Sequence, residues 1–207
     1  MPVIDIAALE GDPGSPVYRS TARELGRACS EFGFFQVVGH AVPDGLIAEL
    51  ERHARAFFAL PPARKQALGR DEDNALGYYH RELTKNTPDW KEVFDLGPVA
   101  APELPDDHPA NRGLDGVNRW PAGLPGFRET MQEYWSACEG LSLRLLAAVC
   151  VSLGLAPDRL GAHFLPAHTS FLRLNHYPPC DDPAPADSPL LPTSGYMGVM
   201  VLHADSR

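Results

Sequence analysis

A long apolar stripe between residues 127 and 149 limits the folds open to this 207-residue sequence. Large apolar side chains recur there at intervals of three and four residues, the spacing of one face of an α-helix. The members of the stripe are Phe127, Met131, Trp135, Cys138, Leu141 or Ser142, Leu145 and Val149. Gly154 follows and predicts the end of the helix. A helix with such a face has to bury it, so the sequence predicts a core helix and needs no cofactor to explain the stripe.

Short strands alternate with amphipathic helices before this stripe. The segments PVIDI and GFFQVVGH are rich in β-branched and aromatic residues and predict strands, the second of them buried. Between them, apolar spacing predicts a helix over residues 15–32 whose buried face holds Ala22, Leu25, Cys29 and Phe32. A second helix is predicted from about Pro43, a residue suited to a first helical turn, and a short third one within LPPARKQAL.

Strands and proline-rich loops account for the remaining segments. NALGYYHRELTKNTPDWKEVFDLG predicts irregular strands or a hairpin, and residues 97–125 predict a long surface loop. SFLRLNHYPP and YMGVMVL predict two further strands, with the proline-rich loop CDDPAPADSPLLPTSG between them. The order of elements is that of a protein with mixed α and β structure.

The charge balance and the cysteines limit the partners and the compartment. The sequence has 18 basic and 27 acidic residues, a net charge of −9 and no Lys/Arg cluster, so we expect no nucleic-acid partner. No secretory signal is visible and no segment reaches the roughly 18 apolar residues of a membrane span, so we expect no membrane partner. The four cysteines are scattered without a C-x-x-C pair, which favours reduced thiols in the cytoplasm.

The segment VMVLHADSR carries a pair of candidate metal ligands. His203 and Asp205 are two residues apart after an apolar run, so on a strand their side chains share one face. An imidazole and a carboxylate are two of the three protein ligands in the facial triad that binds non-haem Fe(II). The alternative is a strand that ends in two polar residues.

Several segments, in this order, resemble the 2-oxoglutarate- and Fe(II)-dependent oxygenases of the isopenicillin-N-synthase-like class. They are PVIDIAAL, ACSEFGFFQVVGHAVP, FFALPPARKQAL, GYYHREL with DWKEVFDLG, and LRLNHYPPC. The resemblance covers about residues 2–180. It implies an α+β chain in which an N-terminal region of helices and strands, residues 1–115, leads into an incomplete double-stranded β-helix (jelly-roll) core over residues 116–207.

The resemblance also implies a chemistry, with Fe(II) as cofactor, 2-oxoglutarate as co-substrate and a small molecule that is hydroxylated or desaturated. Asn175 and Tyr177 match the family's N-x-Y, whose polar tips face the co-substrate pocket; local packing of the tyrosine is the structural alternative. Arg173 shares their face and is either an anion contact or a surface charge, of which we favour the surface charge. Glu92, within DWKE, lies either near the substrate or in a structural turn.

Two registers are open for the iron-binding H-x-D motif. With an insertion in the proline-rich loop, His203 and Asp205 are the metal ligands. At the family's usual spacing after NHYPPC, Pro192 and Ser194 take those positions instead. Proline offers no side-chain donor atom to iron and serine is a poor ligand, so this register predicts a degenerate site.

The sequence ends at Arg207, and it contains neither the family's second iron histidine nor the R-x-S motif that grips 2-oxoglutarate. We therefore expect a chain of oxygenase ancestry that is inactive in isolation. One alternative is a truncated relative that acts at most as a binding or interaction module. Another is a zinc hydrolase using His203, Asp205 and another histidine. An incomplete β-helix exposes a sheet edge, which predicts self-association.

Overall fold

The computed structural model describes residues 1–81, 83–84, 87–88, 91–97, 116–165, 170–178 and 196–202. These residues divide into two units. The first unit is formed by residues 1–47 and 136–165, and the second by the described residues of 48–135 and 170–202.

Helices and strands alternate along the chain as the sequence predicts. The helices are α1 (Pro16–Phe32), α2 (Asp44–Phe58), α3 (Pro62–Gln66) and α4 (Phe127–Ser152), with short 3-10 helices at Ala7–Glu10 and Gly161–His163. The strands are β1 (Val3–Asp5), β2 (Gln36–Val38), β3 (Gly77–Tyr79), β4 (Leu83–Thr84), β5 (Thr87–Pro88), β6 (Glu92–Leu96), β7 (Phe171–Tyr177) and β8 (Tyr196–Leu202). The described chain therefore mixes α and β structure.

The first unit packs α1 and the second half of α4 beside a parallel pair of strands, β1 and β2. Ser15 caps α1 by accepting a hydrogen bond from the Tyr18 backbone amide at 3.3 Å. Gly33 ends the helix with φ of 76°, a left-handed conformation that glycine adopts without a Cβ penalty. The buried apolar residues of this unit are Ile4, Ile6, Leu9, Tyr18, Ala22, Leu25, Ala28 and Ala148.

Two expectations for the first unit are wrong. Cys29 and Phe32 do not lie on the buried face of α1; Cys29 is exposed and Phe32 is 51% exposed. The buried face is rotated towards Tyr18 and Ala28, and α4 approaches α1 closely at Gly26. A Cβ added at Gly26 would lie 2.8 Å from the Cβ of Ser152. Strand β2 is not buried either, since its outer residues are exposed and only its central residue is half-buried.

The second unit is built on a four-stranded sheet with the order β3-β6-β7-β8, in which each neighbouring pair is antiparallel. One face of this sheet packs against α2 and the first turns of α4, and we call it the core face. Phe57 of α2 lies with its ring centroid 4.3 Å from that of Phe94 of β6. The buried residues of this cluster are Leu50, Ala54, Phe57, Phe58, Tyr78, Phe94, Leu96, Phe127, Met131, Trp135, Leu172 and Leu174.

The predicted apolar stripe of α4 is confirmed as core. Phe127, Met131 and Trp135 are buried in the cluster of the second unit, whereas Leu141, Leu145 and Val149 pack against the cluster of the first. At 26 residues, α4 is long and apolar enough by composition to cross a membrane, a criterion that core helices of soluble proteins also meet. Most of the predicted 97–125 loop, residues 98–115, lies outside the described residues.

His53 on α2 is a buried imidazole beside a cation. His53 is 2% exposed, and its Nε2 accepts a hydrogen bond from the Arg52 guanidinium at 2.8 Å. Its ring meets the edge of Phe127 at a centroid distance of 6.0 Å. Burial, followed by the charge of Arg52, holds the pKa of His53 below its ordinary value of 6.5, although Glu49 and Glu129 oppose this shift. Folded His53 therefore binds a proton less tightly than unfolded His53.

We predict that the free energy of unfolding decreases as pH falls below about 6.5, because the unfolded state then takes up a proton that the folded state resists. Each unit of pKa difference contributes about 1.4 kcal/mol. Urea unfolding at about pH 7.5, 6 and 5 measures this slope, which His53→Gln should flatten. His163→Gln is the matched control at an exposed histidine. An unchanged slope in His53→Gln would contradict the assignment.

Candidate functional site

Strand β7 carries different chemistry on its two faces. Leu172 and Leu174 are buried on the core face of the sheet. Because side chains alternate along a strand, Arg173, Asn175 and Tyr177 lie on the opposite face, which we call the site face. The sequence prediction that these three residues share a face is confirmed.

Asn175 is mostly buried on the site face, at 8% exposure. It lies opposite Val93 of β6 and Gly198 of β8, and Gly198 has no side chain to fill the space beside the amide. Among the residues that the structure describes, the Asn175 side chain makes no hydrogen bond. The amide group is not fully enclosed, so its two donors and one acceptor are open to a polar ligand on this face.

Tyr177 is the last residue of β7 and lies opposite Tyr196 of β8. The β6 ladder ends one residue earlier, at the pair of Glu92 and His176. Tyr177 is half-buried. Its position next but one to Asn175 brings the two predicted co-substrate residues together at one end of the sheet.

The interpretation of Arg173 as a surface charge is wrong. Its side chain is 17% exposed, and its Nε and Nη2 each donate to the Asp95 carboxylate at 2.7 Å. This bidentate geometry is the strongest form of the Arg–carboxylate contact. Asp95 is 3% exposed, and Arg70 approaches the same carboxylate at 3.8 Å while stacking 3.5 Å from the Tyr79 ring centroid. Local sequence reasoning missed Asp95, whose only signal is an acid within the apolar strand VFDL.

A second, partly buried ion pair lies on the core face, at the end of the sheet where Tyr177 lies. Lys65 of α3 donates to both Glu92 carboxylate oxygens, at 2.9 and 2.7 Å. Tyr78 donates its hydroxyl to Glu92 at 3.0 Å, and His176 Nδ1 lies 3.4 Å from Glu92 Oε2. Glu92 therefore begins β6 as the centre of a polar network. Sequence analysis left it open between a substrate-proximal position and a turn.

The electrostatics of this network favour a charged Glu92. Burial raises the pKa of Glu92, but the hydrogen bond and the charge of Lys65 outweigh burial, so the pKa lies below its ordinary value. Burial, followed by the charge of Glu92, raises the pKa of Tyr78 above its usual range. Tyr78 thus keeps its proton and donates a hydrogen bond to the carboxylate.

The structure does not describe the predicted metal ligands. His203 and Asp205, and Pro192 and Ser194 of the alternative register, lie outside the described residues. Strand β8 ends at Leu202, directly before His203. Across the described part of the chain, no three His, Cys, Asp or Glu side chains cluster in a way that could hold a metal ion. His176 faces Glu92 on the core face. This agrees with the alternation of side chains along a strand, which turns His176 away from the face of Asn175.

Comparison with known proteins identifies the family of the chain. A family profile described as "non-haem dioxygenase in morphine synthesis N-terminal" matches residues 1–123. Protein DMR6-LIKE OXYGENASE 1 of Arabidopsis thaliana is 31% identical over 188 residues, which are 88% of this chain and 48% of that protein. Homoarginine-6-hydroxylase 2-ODD-C23 of Glycine max is 30% identical over 167 residues, 76% of this chain and 50% of that protein. The chain spans about half the length of the curated relatives it matches.

A solved structure agrees with these relatives. The crystal structure of JOX2 in complex with 2OG, Fe and JA superposes with a TM-score of 0.67 at 27% identity, covering 88% of this chain and 49% of JOX2. The expectation of iron and 2-oxoglutarate as the cofactor and co-substrate of the family is confirmed by this neighbour. The chain therefore belongs to the non-haem dioxygenase N-terminal family, within the superfamily of 2-oxoglutarate- and Fe(II)-dependent oxygenases.

Proposed function

We propose that this chain forms the N-terminal region and the first core strands of a 2-oxoglutarate- and Fe(II)-dependent oxygenase that hydroxylates or desaturates a small molecule. The observation that carries the proposal is the mostly buried Asn175 amide on the site face, which has no hydrogen-bond partner among the described residues. Family membership and the neighbour in complex with 2OG and Fe support the same chemistry. The division into residues 1–115 and 116–207 is part of this proposal.

Asn175 and Tyr177 are the residues that would hold the co-substrate. The Asn175 amide donates to a carboxylate oxygen of the 2-oxo acid, and the Tyr177 hydroxyl offers a second donor on the same face. The Asp95–Arg173 pair keeps this part of the sheet rigid, because two charge-assisted hydrogen bonds of 2.7 Å join β6 to β7 directly. The site face therefore binds and orients the co-substrate.

The proposed metal ligands are His203 and Asp205. When bound, Fe(II) with 2-oxoglutarate supplies the oxidising chemistry of the family. The family's second iron histidine and its R-x-S motif do not occur in these 207 residues, so we propose that these residues alone do not turn over substrate. A cytoplasmic location also belongs to the proposal and is supported by the free thiols of Cys29, Cys138 and Cys150.

Anaerobic titration of the chain with Fe(II) in the presence of 2-oxoglutarate tests the metal site. We expect a visible charge-transfer band that saturates only at high Fe(II) concentration, because two protein ligands hold the metal weakly. His203→Ala should abolish the band, whereas Ser194→Ala should leave it intact. Persistence of the band in His203→Ala would contradict His203 as a ligand. No band at any concentration would favour the reading as a non-catalytic relative.

Substitution of Asn175 tests the co-substrate face. Hydrogen bonds to charged groups contribute about 1.5–3 kcal/mol each, so Asn175→Ala should weaken 2-oxoglutarate binding roughly 10- to 100-fold. Asn175→Asp should weaken it at least as much, because a carboxylate repels the anionic ligand. Calorimetric titration with 2-oxoglutarate in the presence of Mn(II) measures both effects. Gln36→Ala, at an exposed amide of β2, is the control. Wild-type affinity in both Asn175 variants would refute the proposed role.

The second candidate function is that of an interaction module that self-associates through a sheet edge. Strand β8 pairs with β7 on one side, and none of the other described strands pairs with its second side. An open edge offers unpaired backbone donors and acceptors to another chain. We expect oligomers at micromolar concentration in analytical ultracentrifugation, and Val199→Lys on β8 should dissociate them. A monodisperse wild-type monomer would count against this function.

A further inference from the structure

We propose that Lys65, Glu92 and His176 form a positioning network that holds Asn175 and Tyr177 in place from the opposite face of the sheet. The inference rests on the proposed function, because it assigns the network to the binding of the 2-oxo acid. None of the three side chains shares the site face. They act through the backbone of β7 and are positioning residues.

Lys65 joins three elements of the second unit. Its Nζ donates to the Phe58 carbonyl oxygen at 3.0 Å, at the C-terminal end of α2, and to both carboxylate oxygens of Glu92. All three protons of the ammonium group thus have acceptors, and Lys65 is only 5% exposed. A cation at the end of α2 also complements the partial negative charge of the helix C-terminus. Lys65 thereby fixes Glu92 against α2 and α3.

His176 connects this fixed carboxylate to β7. Its Nδ1 lies 3.4 Å from Glu92 Oε2, and its ring stacks on Phe58 with a centroid distance of 4.9 Å and an interplanar angle of 27°. The imidazole is held between the Glu92 carboxylate and the Phe58 ring. Lys65 binds both of these residues, Glu92 through its carboxylate and Phe58 through its carbonyl oxygen. A shift of either would move His176.

The position of His176 in β7 links these contacts to the orientation of Asn175 and Tyr177. His176 lies between Asn175 and Tyr177, so its Cα position and strand twist set the direction of both neighbouring side chains. The ladder to β6 ends at the Glu92–His176 pair, and Tyr177 lies one residue beyond it. Beyond this pair β6 makes no further backbone pairing with β7. The contact of His176 with Glu92 therefore stabilises the end of β7 that carries Tyr177.

Two network variants separate the contacts of His176. His176→Phe keeps a ring against Phe58 but removes the nitrogen that faces Glu92, and His176→Leu removes both. Glu92→Gln keeps the shape of the carboxylate but removes its charge. We expect at least a five-fold increase in the dissociation constant for 2-oxoglutarate in His176→Leu and Glu92→Gln, with a smaller increase in His176→Phe. The affinity for Mn(II) alone should change less than two-fold.

A second measurement does not depend on any ligand. Amide hydrogen exchange of the 207-residue chain should increase at Asn175 and Tyr177 in His176→Leu and Glu92→Gln, with no comparable increase at Leu172. Met131→Ala is the matched control, because Met131 is buried in the same cluster and is not a member of the network. It should lower the melting temperature while leaving 2-oxoglutarate affinity and the exchange at Asn175 and Tyr177 unchanged.

A purely structural network would give a different result. The network variants would then behave like Met131→Ala, with a lower melting temperature, wild-type affinity and wild-type exchange at Asn175 and Tyr177, and the inference would be overturned. Failure of the proposed function is recognised separately. If both Asn175 variants leave 2-oxoglutarate binding unchanged, or if the wild-type chain does not bind it, the proposed function fails. The exchange measurement then decides alone whether the network positions β7.

Discussion

The register between β6 and β7 is the constraint on which the site depends. Phe94 pairs with Leu174 and Leu96 with Leu172, and all four side chains are buried on the core face. A slip of one residue would turn this apolar set to the site face and bring Asn175 into the core. The hydrophobic pattern therefore fixes the direction of Asn175. The site is a consequence of core packing on the other side of the same strand.

One ion pair reinforces the register between β6 and β7, and a second one positions β6 against α3. On the site face Asp95 binds Arg173, and on the core face Lys65 binds Glu92. Burying such charges costs free energy that their mutual attraction offsets only with good geometry, so such pairs are weak evidence of added stability. Their contribution is to alignment. Each carboxylate has one low-energy position relative to its partner, and a shifted register would leave a buried charge without compensation.

The sequence predicts elements well where the signal is local. The α4 stripe and the strand around Asn175 follow from periodicity, and Asn175 follows from resemblance to a family motif. The prediction places Cys29 and Phe32 wrongly on α1, because the close approach of Ser152 of α4 to Gly26 depends on a residue more than 120 positions away in sequence. Arg173 was misjudged because its partner Asp95 is 78 residues away in sequence. His203 and Asp205 lie outside the described residues, so their role as metal ligands stays a prediction.

The same ion pair bears on how the proposed site recognises an anion. The Arg173 guanidinium already faces the Asp95 carboxylate through Nε and Nη2, so its charge is offset by that partner and is a weak source of attraction for 2-oxoglutarate. Asn175 and Tyr177 then supply neutral donors, and two bonds of about 1.5–3 kcal/mol must offset an association cost of about 4 kcal/mol or more. These two residues alone would bind the co-substrate no better than millimolar. Under the proposed function, affinity for the 2-oxo acid must therefore depend on the metal and on a further cation, with Asn175 and Tyr177 setting orientation.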